Sequence, residues 1–489
     1  MNIWPWETLE SLASDDPNSL TDGPFGSKLK SEHYTDSGVR VVRLGNLGAG
    51  DFKDEARSFV SAEHAADLQR HRLFDGDLLI AALAEPVGRC CVVPRSVLPA
   101  IVKADCIRFQ PRPDLNRRFI MHWLNSPDAK KHAERHSHGV GRLRINMGAI
   151  RQIPVPVPSR FVQDTTVAAI ETHFSRLDAA VAALTRAKAN VKRARASVLK
   201  AAVEGRLVPT EAALSRAEGR PYEPASVLLT RILEERKARW PKGKKYVPPV
   251  APEAGGLPHL PEGWTWATVD QLLAEDLRNG KSAQSAENGV GIRTLTLTAV
   301  TNRKFSDDNT KVTVATDQEA KGLWLEPGDL LVQRSNTPEL VGSVALYQGP
   351  LNWAIYPDLL IRVRPTRHTD PAWLDVCLRS PRARRHFKSR AQGIAGSMPK
   401  ISQDVISKAP VPLPPLAEQC RIVAEVDRRL SVLDALDTTL GANLGRCARL
   451  RQAILKRAFE GRLVPAEASA DAPLLAAEPQ PTFLAPAAR

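Results

Sequence analysis

The chain has 489 residues, 43% of them apolar, and 68 Lys and Arg against 54 Asp and Glu give it a formal net charge of +14 and a pI near 9.6. That length fits roughly three to four domains, each able to bury its own core, and the apolar share excludes a disordered or fibrous chain. A charge of this size points to a polyanionic partner, nucleic acid first, with a ribosome or a membrane surface as the alternatives on charge alone.

The N-terminus, Met1-Asn2-Ile3-Trp4-Pro5-Trp6-Glu7, has neither a basic n-region nor an apolar core, and no apolar run approaches membrane length. Cys90, Cys91, Cys106, Cys377, Cys420 and Cys447 form no C-x-x-C pair and no even spacing, which suits a reducing cytoplasm. A soluble cytoplasmic protein with no membrane partner is expected.

The first half opens on Trp4-x-Trp6-x-Thr8-Leu9-x-x-Leu12 and continues through β-rich runs such as Val39-Arg40-Val41-Val42-Arg43-Leu44, broken by Gly, Asn and Asp turns. A helical piece follows over 117–135. Lys130, Lys131, Arg135, Arg142, Arg144 and Arg151 cluster there, and the cluster runs into Gly139-Val140-Gly141-Arg142-Leu143-Arg144-Ile145-Asn146. Cations at this density match phosphates and release counterions, and flexible backbone beside them can approach a groove. A solvated basic face is the alternative. His132 and His136 stand one helical turn apart, as metal ligands would, but without a carboxylate or thiol cluster, so a polar turn is the preferred reading.

After Pro154-Val155-Pro156-Val157-Pro158, a start signal, apolar residues fall at Val167, Ile170, Phe174, Leu177, Val181, Leu184, Val191 and Val198, with Lys188 and Arg195 in two slots. This is an a/d seam, and it stops at Gly205 within Glu204-Gly205-Arg206-Leu207-Val208-Pro209. Residues 210–260 read as a linker holding one short amphipathic helix, roughly 225–239, whose Val227, Leu228, Ile232 and Leu233 need a surface to cover.

The second half repeats the first. Trp264-x-Trp266-x-Thr268 returns at an offset of 260, Pro327-Gly328-Asp329-Leu330-Leu331-Val332 answers Asp75-Gly76-Asp77-Leu78-Leu79-Ile80 at 252, and the long helix returns at a constant 256. Its seam runs Val423, Val426, Leu430, Leu433, Leu440, Leu444, Cys447 and Ile454, with Asp437 in one slot, and it ends Glu460-Gly461-Arg462-Leu463-Val464-Pro465. Two matched seams in one chain predict an antiparallel pair, the alternative being two ordinary bundle helices in separate domains. Drifting offsets mean variable loops on a shared scaffold, which is where recognition lives.

The second half has a basic helix of its own over 371–390, with Arg379, Arg382, Arg384, Arg385, Lys388 and Arg390, running into a Gly-rich loop that ends at Lys400. Gln333-Arg334-Ser335-Asn336 follows a strand, and Gln333, Arg334 and Asn336 are of the types that read base edges; an ordinary polar turn is the alternative.

An enzyme site is not found. Asn279-Gly280-Lys281-Ser282 resembles the end of a P-loop, but Glu275 stands where the cradle needs glycine. No glycine fingerprint for a dinucleotide or S-adenosylmethionine follows a strand, and no Asn-Pro-Pro-aromatic motif is present for a flipped base. Acid-x-Lys triplets such as Asp51-Phe52-Lys53 and Glu319-Ala320-Lys321 are of chance frequency. No catalytic residue, cofactor site or metal site is therefore expected in this chain.

The twice-used Glu-Gly-Arg-Leu-Val-Pro ending, Leu260-Pro261-Glu262-Gly263-Trp264 and Pro224-Ala225-Ser226-Val227-Leu228-Leu229 together resemble the specificity (S) subunit of type I restriction–modification systems, the HsdS family, over almost the whole chain. Two departures stand out: no Leu-Pro-x-Gly precedes Trp4, and Asp437 interrupts a seam. The resemblance implies a mixed α/β fold with two target-recognition domains, 1–158 and 261–414, and two conserved helical regions, 159–209 and 415–465, before an Ala/Pro-rich disordered tail over 466–489. It further implies that each domain reads one half of a split, asymmetric double-stranded DNA target, while the helices set the gap and dock two modification subunits. Those subunits would use S-adenosylmethionine, and restriction subunits, where present, ATP and Mg. The expected DNA contacts are Lys130, Lys131, Arg135, Arg142, Arg144, Asn146, Arg334, Asn336, Arg382, Arg385, Lys388, Arg390 and Lys400, and the expected helix contacts Ile170, Phe174, Leu177, Leu184, Val426, Leu430, Leu433 and Leu440. A self-contained nuclease or methyltransferase and a coiled-coil adaptor without DNA contact are the rival classes.

Overall fold

Two helices of 44 residues each, Arg160–Val203 and Leu416–Phe459, are the longest elements of the computed structural model, which describes residues 4–240, 245–253, 255–287, 289–393 and 398–464. Both end alike. Gly205 and Gly461 adopt φ of 64° and 70°, which only glycine takes without a Cβ penalty. The Arg206 amide then donates to Ala201 O at 2.9 Å and Arg462 to Arg457 O at 2.9 Å, while Gly205 donates to Ala202 O and Gly461 to Ala458 O. These are Schellman caps that satisfy the last carbonyls.

The chain divides into two compact units, Met1–Thr185 with Gly441–Arg489, and Arg186–Leu440. Each unit takes half of each long helix instead of leaving the helices as regions of their own. In the first unit Val167 and Ile170 share a core with Leu455, Ala458 and Phe459, and Asp178 pairs with Arg451. In the second, Leu199, Ala202 and Val203 share a core with Ile422, Val426 and Leu430, and Arg195 pairs with Asp434 at 2.6 Å. Within each unit the start of one helix therefore packs on the end of the other, which makes the pairing antiparallel. The two ion pairs are one pair repeated, since Asp434 and Arg451 lie 256 residues beyond Asp178 and Arg195.

Burial follows the seam. Ile170 and Val426 are fully buried, Leu430 nearly so, and Phe174, Leu177, Leu184, Leu433 and Leu440 are half-buried between exposed neighbours. Two of the polar interruptions face each other: Arg195 lies 3.7 Å from Asp437 as well as touching Asp434. Asp437 thus completes an ion pair where the sequence suggests a break in packing.

The globular part of each unit is built on a common plan. A four-stranded antiparallel sheet is made in the first unit by Leu20–Thr21, Cys106–Phe109, Leu78–Ala81 and Cys90–Val92, and in the second by Arg278–Asn279, Leu360–Val363, Leu330–Gln333 and Val344–Leu346. What is added differs. The first unit carries a five-stranded sheet that includes one parallel pairing, Val39–Val42 on Ala100–Val102, where the second, among the described residues, has the two-stranded pairing of Ile292–Leu295 on Thr310–Thr313.

The long helices start after the proline runs, as expected, and within those runs Pro154–Pro156 and Pro410–Leu413 are strands, paired antiparallel with Trp6–Thr8 and Thr265–Thr268. Two-stranded pairings leave an open side for the missing N–H groups of proline. Two local expectations are corrected. The single helical pieces over 117–135 and 371–390 are each two helices, Arg117–Leu124 with Pro127–Arg135 and Pro371–Arg379 with Pro381–Arg390. The break is a Ser-Pro step, in which Ser126 and Ser380 accept from the third amide of the new helix and proline fills its first position. The linker holds a second helix, Glu211–Glu218, capped by Thr210 and closed by Gly219, beside the expected one at Ala225–Ala238. Leu228 and Ile232 of the latter are buried in the core of the second unit beside Ala225 and Leu233 is half-buried, whereas Val227 stays exposed, contrary to expectation. The tail over 466–489 lies outside the described residues.

One buried glutamine in each unit ties helix to globule. Gln163 donates to Pro158 O at 2.9 Å and accepts from the Asn116 amide at 2.8 Å; Gln419, 256 residues on, donates to Pro414 O at 3.0 Å and accepts from the Asp370 amide at 3.0 Å. Asn116 and Asp370 cap the helices Arg117–Leu124 and Pro371–Arg379, so each glutamine joins the start of a long helix to the start of a globular one. Replacing Gln419 by Leu leaves a buried carbonyl and amide unpaired and should cost about 1–3 kcal/mol per orphaned group, measured by denaturant unfolding; an unchanged midpoint would show that the tether carries no stability.

Candidate nucleic-acid interface

At one end of each four-stranded sheet three elements meet. The first is the hairpin loop between its central and edge strands, residues 82–89 in the first unit and 334–343 in the second. The second is the Gly-rich segment, which docks on that loop by a β-bridge, Leu83 with Arg144 and Ser335 with Lys400. The third is the basic helix, Pro127–Arg135 or Pro381–Arg390, which touches the loop at a glycine. A Cβ on Gly88 (φ +76°) would lie 3.0 Å from the Ala133 Cβ, and one on Gly342 (φ +69°) 2.8 Å from the Phe387 Cβ. Gly342 and Phe387 stand 254 residues beyond Gly88 and Ala133, so the close approach is a repeated feature.

In the first unit the Gly-rich segment is a hairpin whose strands are Ser137–His138 and Arg144–Ile145. At its tip Val140 stands fully out between Gly139 (φ 111°) and Gly141 (φ 75°), and Arg142 is exposed beside them. Lys131 and Arg135 are exposed on the basic helix. Three expected contacts are otherwise engaged. Arg144 pairs with Asp105 at 2.6 Å and lies over the Phe25 ring, with Asp22 beside it, whose carboxyl burial and the Asp105 charge push up to about 6. Lys130 is half-buried, with Nζ 3.4 Å from Gln452 Oε1. The Asn146 side chain caps the helix Met147–Arg151 by accepting from the Ala149 amide, as Ser402 does 256 residues later for Gln403–Ser407. Arg151 pairs with Glu10.

In the second unit Arg385, Lys388 and Arg390 are exposed on the basic helix, and Arg382 lies over the Trp266 ring at 5.7 Å. Lys400 is exposed, its backbone paired both ways with Gln392 at 2.8 Å; the loop between them includes 394–397, which lie outside the described residues. Arg334 is half-buried at the base of the hairpin loop. Gln333 cannot read a base: it is fully buried, donating to Leu297 O and Thr301 Oγ1 and accepting from Asn336 Nδ2 at 2.9 Å. Gln333 ends a strand that is covered on both faces and shares the face of Leu331, which its side-chain type alone does not reveal. Asn336 is held by that bond and by the Thr337 amide, so it shapes the turn. Arg379 belongs to the preceding helix and pairs with Asp375 at 3.1 Å.

Two arginines lie behind these loops: Arg89, which motif reading misses, and Arg384, which it places in the basic cluster. Arg89, 9% exposed, and Arg384, half-buried, hold loop carbonyls, and burial lowers the pKa of both from the usual arginine value. The only signal for Arg89 is its place next to Gly88, a glycine the repeat preserves. His136 Nδ1 sits 2.8 Å from His132 O, and among the described residues no group of three or more His, Cys, Asp and Glu is arranged to hold a metal ion. Nor, among them, is any helix long and apolar enough to cross a membrane.

No protein-family model matches the chain. It is 25% identical over 453 residues, 91% of its own length and 87% of the relative's, to the type I restriction enzyme EcoKI specificity subunit of Escherichia coli (strain K12). The StySPI specificity subunit of Salmonella potsdam is 23% identical over 91% of this chain and 87% of the relative, and the EcoDI specificity subunit of Escherichia coli 23% over 72% and 71%. A solved structure concerned with complex assembly and conformational transition of the type I R-M system covers 94% of this chain and 98% of that one, with a TM-score of 0.54 at 18% identity, which shows a shared fold. Relatives that match both halves and the helices between them make the chain similar, over about nine tenths of its length, to the specificity subunits of type I restriction enzymes.

Proposed function

We propose that this chain reads DNA sequence for a type I restriction–modification complex, each unit reading one half of a split, asymmetric double-stranded target. The chain itself catalyses nothing. Two modification subunits supply methyl transfer from S-adenosylmethionine, and restriction subunits add ATP- and Mg-dependent action. The observation that carries this reading is the loop end built twice on one scaffold, with glycine contact and β-bridge kept and side chains changed. Bases are told apart by side chains, whereas the scaffold that presents them can stay constant. Co-expression with a modification subunit followed by genome-wide mapping of methylated adenine should return one two-part asymmetric sequence with a fixed unread gap. Methylation at an undivided sequence, or turnover by the pure chain, would overturn it.

Exposed and paired cations should differ. Removing Arg142 or Lys131 as alanine should weaken binding evenly across sequences and lower the salt slope by about one each. Arg144→Ala should change that slope less, because Asp105 already neutralises the guanidinium. Titration of affinity against salt decides it, and a larger loss from Arg144→Ala would assign the phosphate contact there.

A further inference from the structure

A hairpin loop that presents side chains to bases has to be held still, and its own backbone is poorly suited to that. In the first unit residue Ala84 sits at φ +66°, a left-handed conformation that a residue with a Cβ adopts at a cost. The surrounding carbonyls point inward, and one guanidinium collects them. Arg89 donates through Nη1 to Ala84 O and Pro86 O, both at 3.1 Å, and to Leu83 O at 3.5 Å. Through Nε it reaches Leu47 O at 2.9 Å and through Nη2 Leu44 O at 3.2 Å, so a second loop, 44–47, is fastened to the first. All five bonds go to backbone carbonyls.

The second unit does the same from elsewhere. Arg384, on the basic helix Pro381–Arg390, donates to Val341 O at 2.8 Å and to Glu339 O at 2.6 Å in the equivalent loop. At the 254-residue offset that relates the two glycine contacts, Arg384 answers Lys130, which reaches Gln452, and Arg89 answers Ser343. Among the described residues each unit thus has one loop-holding arginine, at a position where the other unit has none. A fold requirement inherited with the scaffold would keep the residue in place; a requirement of the loop itself is met from whichever side the loop's shape allows.

We propose that Arg89 and Arg384 are positioning residues for sequence discrimination, each fixing the reading loop of its own unit without touching DNA, an inference that rests on the reading of each unit as the reader of one half-site. The fork of the guanidinium matters more than its charge, because lysine offers a point charge that cannot span two loops.

The test uses the full chain with its modification partner, measuring methylation of the target against single-base changes in each half-site. Arg89→Met should cut discrimination at one half-site on the order of 10-fold and leave the other unchanged, and the retained half-site reports that the protein is folded. Arg89→Lys should not rescue. Arg384→Gln, at a less buried position, should lose discrimination at the opposite half-site and carries the test where Arg89→Met does not fold. Equal losses at both half-sites, uniform weakening across all sequences, or full rescue by Arg89→Lys would overturn the proposal. A wild-type chain that shows no split target would instead remove the reading beneath it.

Discussion

A heptad seam on a helix of 44 residues cannot face water, and the way each unit covers it governs the rest of the molecule. In both units the cover is the opposite end of the other long helix, fixed by the same Arg–Asp pair in the same antiparallel sense. The seam's polar slots obey that geometry, since Arg195 meets Asp434 and Asp437. A surface pair contributes little stability by itself, but a misaligned pair would leave like or lone charges in the seam, so its value lies in register.

From that register the globular parts follow. Gln163 and Gln419 join each long helix to the cap of a globular helix, and the core of each unit continues from the helix pair into the four-stranded sheet. Rigid elements thus run from the seam to the loop end of the sheet, where the basic helix is pressed against a glycine. Sites carried on such elements are positioned more closely than sites on free loops. What varies is placed beyond them: a five-stranded sheet on one side against a two-stranded one on the other, and a loop two residues longer in the second unit.

Much of this was legible in the residues. Three-and-four spacing of Ile170, Phe174, Leu177, Leu184 and their partners, with glycine at the end, leaves few alternatives to a long helix, and constant offsets reveal the repeat. Thr210 and Gly219 bracket a helix that was missed because its eight residues sit among linker-like prolines. Ser126-Pro127 was a stop and a start at once, hidden by the apolar pattern running through it. Side-chain type identified candidate DNA contacts but could not say which were spent: Arg144 on Asp105, Lys130 toward Gln452, Asn146 on a helix cap. Gln333 carries the chemistry of a base reader and the burial of a core residue, because the strand it ends is covered on both faces.

The central claim is that two independent readers share one chain, and it is tested most directly by exchange. Residues 1–158 are replaced with the matching domain of a relative that has a known target, and methylated sites are mapped with the modification partner. One half of the recognised sequence should change to that of the donor while the other half stays as it was; a change in both halves, or in neither, would contradict the account.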